Sequence, residues 1–479
     1  MIRPFLLRPP WDGPRSVARA TVLLASVVCM ACNDAPVDQQ PIPSPPPPPG
    51  TPPPPSQVTA TITVDTLTRF QVMSGWEAVT QAGQDEAGFA GWQQQLMDLA
   101  ANDLGLNRLR LEVRSGVENP VDSDAAYRAG TISTSEWRNS RYLVVNDNAD
   151  PNVINAAGFH FSAIDRAVTN VVLPLRQRVE ANGERLYVNL NYVSFNPSTT
   201  LAHLDPAEYA EFLLATFQHL QSTFGFVPDA VEVILEPDAN TPWVGTLIGQ
   251  AIVAAGNRLA LAGFRPEFVA PSTTNMANVV PYLDQMVAVP GVMTYLKEVS
   301  YHRYGGVSDA NLAAIHARAS ALGLRTAMLE HIGSGVEDLF KDLTIAKVSG
   351  WQQYTLAYPT SDDGAQYFTI TGGLPVMGSR TRALRQYFHF VRRGAFRVAA
   401  TSTNAAVRPV GFTNPDGAPV VVLHTERAET LAIRGLRAGR YTISNALPSA
   451  AGPTEATVGA DGELRFSGVE GVITVAWRP

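Results

Sequence analysis

The chain has 479 residues, 45% of them hydrophobic and 16% charged, with a formal net charge of −7 and two cysteines. That length accommodates two or three domains and a large apolar core, and the slight acidic excess provides no basic field for a nucleic acid. Two cysteines exclude a disulfide scaffold and a cysteine-rich zinc or iron–sulfur module, and no apolar run reaches the ~18–20 residues needed to cross a bilayer.

Arg3, Arg8, Arg15 and Arg19 precede an apolar run from Thr21 to Ala31, so residues 1–31 read as a signal peptide. Met30-Ala31-Cys32 resembles the end of a bacterial lipobox, which makes Cys32 the expected lipidation site and point of membrane attachment. Cleavage after Ala31 without lipidation is the alternative. The chain is thus expected to be exported, as a cell-envelope lipoprotein (outer membrane or periplasm) or a secreted protein. Residues 32–56 form a linker in which PIPSPPPPPGTPPPP has 11 prolines in 15 residues; such a run favours extended polyproline II and reads as a stalk.

Residues 57–72 (within them VTATITVD) read as an N-terminal strand joining a β side domain. From 73 to 394 short apolar strands alternate with longer amphipathic segments, the strands beginning near Met73, Asn107, Arg185, Val231, Glu267, Glu298, Arg325 and Trp351. Eight such units predict an α/β fold, a (β/α)8 TIM barrel, rather than an open doubly wound sheet. No dinucleotide or P-loop fingerprint follows any strand, and 373–380 (GLPVMGSR) reads as a bare turn. One helix is expected after Asp205 as N-cap, with Pro206 at its first position, Glu208 completing a capping-box-like arrangement, and Gly225 ending it. Residues 395–479 change character: short β-rich runs such as PVVVLHT and VITVAW, with turn signals between them, predict a β-sandwich. It is read as a structural side domain rather than a carbohydrate-binding module, because fold alone does not assign function.

Alternation along a barrel strand sends one set of side chains to the helices and the other to the lumen. On strand two it opposes Arg108, Arg110 and Glu112 to Leu109, Leu111 and Val113; on strand three it opposes Tyr187, Asn189 and Asn191 to Leu186, Val188 and Leu190. On strand four Glu232, Ile234 and Glu236 share a face, and on strand six Ser300, His302 and Tyr304 do. On strand seven Thr326, Met328 and Glu330 are expected in the lumen, with Ala327 and Leu329 toward the helices. Charges in a lumen are costly unless paired. Glu232, deep on its strand, is expected to belong to a satisfied network, whereas Glu236 and Glu330 stand at strand ends, where such barrels place their chemistry. They are 94 residues apart, the length of three βα units. Two carboxylates converging on a barrel mouth can cleave a glycosidic bond, one as proton donor and the other as nucleophile.

These residues carry a family resemblance. TITVDTLTRFQVMSGWEA (with Gln71, Gly75 and Trp76), ILEPD around Glu236, SYHRYGG with His302 and Tyr304, and AMLEH around Glu330 resemble the clan A retaining glycoside hydrolases, most closely family 30 (glucosylceramidase and glucuronoxylanase relatives). The resemblance spans about residues 57 to 479. It implies Glu236 as general acid/base, Glu330 as nucleophile, a carboxylate gap of ~5–5.5 Å and retention of configuration on a β-linked poly- or oligosaccharide. It implies substrate contacts from Arg110, His302, Tyr304, Trp76 and, as a sugar-stacking aromatic, Trp351. Leu235 departs from the family, which has an asparagine there bonding the sugar 2-hydroxyl; Asn189, Asn191 and Asn240 are the candidates to replace it. The departure also motivates an alternative, a non-catalytic surface carbohydrate-binding protein on a degenerate barrel. No cofactor and no metal site is expected: the Asn146-to-Asp150 cluster, in a loop of about 44 residues expected to wall the cleft, lacks EF-hand spacing and reads as turns. His331 is expected to point toward the helices, and no Gly-x-Ser-x-Gly elbow is present.

Overall fold

The computed structural model describes residues 57–195, 202–239, 242–358, 364–447 and 452–478. The signal segment, Cys32, the proline-rich linker and Asn240 lie outside the described residues.

Eight parallel strands form the barrel: Gly75–Val79, Arg108–Arg114, Tyr187–Val193, Ala230–Glu232, Glu267–Asn275, Leu296–Gly305, Arg325–Glu330 and Gly350–Tyr358. Each pairs with the next, and strand eight pairs with strand one to close the ring. Helices follow the strands; that of Pro206–Phe224 has its Asp205 side chain accepting from the Ala207 N–H and ends at Gly225 with φ 71°. Its buried stripe includes Tyr209, Phe212, Leu213, Phe217 and Leu220. Glu208 does not close a capping box. It is buried and accepts instead from Asn146 Nδ2 at 3.3 Å, tying the helix to the long loop after strand two. The 373–380 turn sits partly in a hairpin: Gly372 and Gly373, with φ 59° and 77°, join Gln366–Thr371 to Leu374–Met377 beside strand eight.

A second sheet of nine mostly antiparallel strands contains Ala60–Val72 and the eight strands between Phe396 and Arg478. It is a sandwich packed onto the barrel. On the strand Pro419–Thr425, Val421 and Leu423 face the sandwich's own core, while Val420 and Val422 join the barrel core through Tyr387 and Phe388. The period-two alternation thus serves two cores at once. Gln71 bridges the two parts: its Nε2 donates to the Leu343 carbonyl at 2.9 Å and its Oε1 accepts from Arg397 Nε at 3.0 Å.

The lumen floor is charged and paired. Arg108 Nε donates to Glu77 Oε2 at 2.5 Å, its Nη2 to Glu298 Oε1 at 3.0 Å and its Nη1 to Ser74 Oγ at 2.6 Å. Glu232 belongs to this layer, accepting from Asn189 Nδ2 at 2.9 Å.

Strand seven corrects the expected phase. Ala327 and Leu329 cluster with Tyr187, Ala230 and Val269, from strands three, four and five, which meet only across the lumen. Met328 lies in the core between strands and helices, and Thr326 Oγ1 donates to the Ala346 carbonyl on the helix side. Glu330 reaches the lumen because the pairing slips between Tyr301↔Met328 and His302↔Glu330. Such a bulge re-aims one side chain across the sheet.

Candidate active site

Two carboxylates meet at the C-terminal mouth of the barrel. An oxygen of Glu236, an oxygen of Glu330 and a ring nitrogen of His302 all lie within 4.8 Å of one another. Each glutamate leaves regular strand geometry to get there. Strand four ends at Glu232, and Glu236 adopts φ 55°, its N–H bonded to the Ser272 carbonyl on strand five. Ile234 turns into the barrel-helix core instead of the lumen, because alternation stops where the strand does. A non-glycine residue at positive φ is strained, and such strain collects at functional sites.

The two acids have opposite surroundings. Glu330 Oε2 accepts from Arg110 Nη2 at 2.5 Å, and Oε1 accepts from the Tyr304 hydroxyl at 3.0 Å. Both partners are donors, and together they fix the orientation of the carboxylate. Glu236 makes one contact, with His302 Nδ1 at 3.0 Å. Burial pushes the Glu236 carboxyl above its ordinary range and the charge of Glu330 adds to that push, while His302 opposes it. For His302, burial disfavours the charged ring, but the bond to Glu236 and the field of Glu330 outweigh it and raise its pKa. The three groups have metal-ligand spacing, the one such set among the described residues, but a guanidinium already neutralises Glu330 and opposes a second cation.

The structure brings together Glu236, Glu330, Arg110, His302 and Tyr304. Asn191 faces the same lumen, aligned with Glu112 and Glu232 on the flanking strands, and neither its Nδ2 nor its Oδ1 has a hydrogen-bond partner. A buried polar group left unpaired costs about 1–3 kcal/mol, so Asn191 offers a donor and an acceptor to an incoming polar molecule. Asn189 is spent on the floor, its Nδ2 shared between Glu232 and Glu77.

The tryptophans are not in the site. Trp76 is fully buried on the helix side of strand one, stacked on Phe388 at 4.5 Å with its indole N–H donating to the Val391 carbonyl. Trp351 is likewise fully buried, its N–H donating to Asp342 Oδ2 at 2.8 Å. Alternation decides both, since Glu77 takes the lumen in strand one and Gly350 takes it in strand eight, where a Cβ would meet Arg108 Nη1 at 2.6 Å. The aromatic that does face the site on strand eight is Tyr354, with the Arg110 guanidinium 5.8 Å from its ring centroid. Sequence reasoning missed it by setting Trp351 in the lumen; with Gly350 there instead, the same alternation brings Tyr354 inward. His331 also departs from expectation: its ring lies 5.2 Å from that of Tyr304, and its Nδ1 bonds Ser334 Oγ at 2.7 Å. Leu235 packs with Tyr142 and Val193, an apolar patch beside Glu236. The Asn146-to-Asp150 cluster closes on itself, Asn148 Oδ1 accepting from the Asp150 N–H at 2.7 Å and Asp150 Oδ1 from the Asn152 N–H at 3.0 Å.

No protein-family model matches the chain, and no curated protein matches it by sequence. Solved structures match its fold. The catalytic domain of a glycoside hydrolase family 30 xylanase from Talaromyces cellulolyticus aligns with TM-score 0.65 and 16% identity, over 87% of this chain and 99% of that one. A family 30 endoxylanase from Clostridium papyrosolvens gives TM-score 0.61 and 16% identity over 87% and 99%. An endo-β1,6-glucanase gives TM-score 0.61 and 14% identity over 88% and 95%. The chain therefore has the fold of these glycoside hydrolases, a TIM barrel with a β-sandwich built against it.

Proposed function

We propose that the protein is a retaining β-glycosidase that hydrolyses a β-linked poly- or oligosaccharide by double displacement. The observation that carries this reading is the Glu236–Glu330 pair, whose nearest approach of under 4.8 Å fits the ~5–5.5 Å spacing of retaining enzymes and leaves no room for the water of an inverting one. Glu236, its carboxyl pushed above the ordinary range by burial and by the charge of Glu330, gives its proton to the leaving oxygen. Glu330, oriented by its bonds from Arg110 and Tyr304, attacks the anomeric carbon as the leaving oxygen departs and forms a glycosyl ester. Glu236 is ionised once its proton has gone to the leaving oxygen, and esterification removes the Glu330 charge that had favoured its reprotonation, so it is available as the general base. It then takes a proton from the water that opens the ester. Asn191, in place of the residue at 235, is a lumen group with both its amide nitrogen and oxygen free to bond a sugar hydroxyl. The same proposal includes export and anchoring through Cys32, supported by the basic–apolar N-terminal segment.

The test is turnover of an activated aryl β-glycoside and of a panel of β-linked glycans, with the configuration of the first product read by NMR. Glu330→Gln should abolish turnover and Glu236→Gln should slow glycan cleavage about 10²–10⁴-fold. Turnover unaffected by both, or an inverted product, would sink the reading. A wild-type chain that binds these glycans without cleaving any would establish the carbohydrate-binding alternative.

A further inference from the structure

Four arginines are buried among the described residues, and one of them has no acid. Arg108 is paired with Glu77 and Glu298, Arg110 with Glu330, and Arg303 with Asp338 and Asp342. Arg397, only 8% exposed, makes no ion pair. Its Nε donates to Gln71 Oε1 at 3.0 Å, and its two Nη groups have no partner among the described residues. A charge taken from water without a counter-ion is costly, so this guanidinium needs a reason. Burial alone pushes it down to about 10.

Its surroundings add positive charge. The Arg397 guanidinium lies 3.9 Å from the Phe70 ring centroid, and Lys347 Nζ lies 5.5 Å from the same centroid. Lys347 ends the segment Asp342–Ala346 at φ 50°, a left-handed position that glycine or asparagine fills at lower cost. It too makes no ion pair among the described residues. His316, on the helix Asp309–Ala321 packed against that segment, is half-buried, and burial, then Lys347 and Arg397, hold its ring below the ordinary range. No carboxylate field reaches Arg397 or His316.

The cluster stands at the seam of the two parts, on the face opposite the chemistry. Lys347 precedes strand eight, Phe70 lies shortly before strand one, and Arg397 is near the start of the sandwich strand Phe396–Ser402. Glu236 and Glu330 stand at the other ends of the barrel strands. Two unbalanced positive charges call for a dianion. A carboxylate carries one charge and two coplanar oxygens, which a single arginine fork satisfies. The oxygens of a phosphate point out of one plane and can meet a guanidinium, an ammonium and an imidazole together, and its second ionisation near pH 6 makes it a dianion at neutral pH.

We propose that Arg397, Lys347 and His316, around the Phe70 ring, form a binding site for a phosphate dianion, free or carried as a phosphomonoester. The site ties the sandwich to the barrel when filled. It is independent of the glycosidase reading and stands or falls without it.

The experiment adds inorganic phosphate to the full chain, with sodium chloride at matched ionic strength as the control. Calorimetry should give one site per chain, and the melting temperature should rise by about 2 °C at saturating phosphate. The His316 ring signals in NMR, assigned by their loss in His316→Gln, should titrate at higher pH with phosphate present, because a bound anion favours the charged ring. Lys347→Gln and Arg397→Gln should each abolish the binding. The partly exposed Lys347 gives the variant that decides if Arg397→Gln fails to fold. An equal response to chloride, or a response retained in either folded variant, would overturn the site. Where inorganic phosphate does not bind, phosphatidylcholine vesicles with and without phosphatidic acid replace it. Sedimentation with the phosphatidic acid vesicles alone, lost in both variants, assigns the phosphate to a lipid headgroup. Binding to neither probe would end the proposal.

Discussion

Glu236 and Glu330 are the same side chain with different neighbours, and the neighbours divide the labour. Glu330 accepts two hydrogen bonds, one from a guanidinium, while Glu236 has a single imidazole contact in a buried setting. His302 is the group that tunes the acid. Its hydrogen bond and charge lower the Glu236 pKa against the upward push of burial, so removing it leaves only the smaller field of Arg110 to oppose that push. The alkaline limb of kcat/KM, set by Glu236 losing its proton, should therefore move to higher pH in His302→Asn. A limb that stays in place or moves to lower pH would show that His302 does not act through Glu236. The residue types at this site were legible in the sequence, since carboxylates, arginine, histidine and tyrosine recurred at lumen-facing spacing. The tryptophans were misassigned because a large aromatic near a strand end satisfies either face, and only the phase of the strand decides. Tyr354 and Arg397 carried no distinguishing signal of their own.

At the scale of elements, the departures from regularity place the chemistry. Strand four stops after three residues, strand seven bulges before Glu330, and strand eight slips beside Tyr354. One alternation carried along the whole strand misplaces Ile234 on strand four and Thr326 and Met328 on strand seven, although Glu232, Glu236 and Glu330 reach the lumen as that alternation expects. Helix ends followed their caps more closely, because a cap is a local bond: Asp205 to Ala207 N–H needs no tertiary partner. Gly75, which opens strand one, shows a constraint of the opposite kind. It has φ 131°, and a Cβ there would lie 2.4 Å from Asn107 Oδ1, the atom that accepts from the Trp76 N–H. Gly75→Ala should destabilise the chain by about 1–3 kcal/mol in urea unfolding. A midpoint equal to the wild type would mean that strand one relaxes freely at its start.

For the whole molecule, the sandwich is continuous with the barrel rather than appended to it. The helix Ser379–Phe388 buries Tyr387 against Phe412, with the Tyr387 hydroxyl 2.7 Å from His424 Nε2, and Thr474 Oγ1 donates to the Gln386 carbonyl. At the edge of this interface Glu337 of the barrel meets His424 at 3.0 Å and Arg408 at 2.9 Å. The hydrogen bond from His424, then that from Arg408, hold Glu337 down at about 2 despite burial, against an ordinary 4.5. A carboxylate depressed in the folded state stabilises fully above its unfolded pKa and loses that contribution as pH falls from 4.5 toward 2. Because the Glu337 side chain is 62% exposed, the contribution is only about 0.2–1 kcal/mol. Glu337→Gln should lower stability by that amount near neutral pH, and the gap from the wild type should close below pH 3 in acid titrations of unfolding. A gap that persists at low pH would assign the loss to packing rather than charge.

The sequence by itself determined the number and order of barrel strands, the helix boundaries set by Asp205 and Gly225, and the division into barrel and sandwich. Each of these is written in local periodicity and composition, which depend on nearby residues alone. Only the tertiary structure decided which lumen charges pair on the floor and which meet at the mouth, because Arg108 and Arg110 are indistinguishable until Glu298 and Glu330 arrive from distant strands. It also decided that both tryptophans face the helices and that Arg397 and Lys347 share one aromatic ring. Where a strand stops or bulges, regular pairing is interrupted, and there the packing of neighbours, not the period of the chain, aims the side chain.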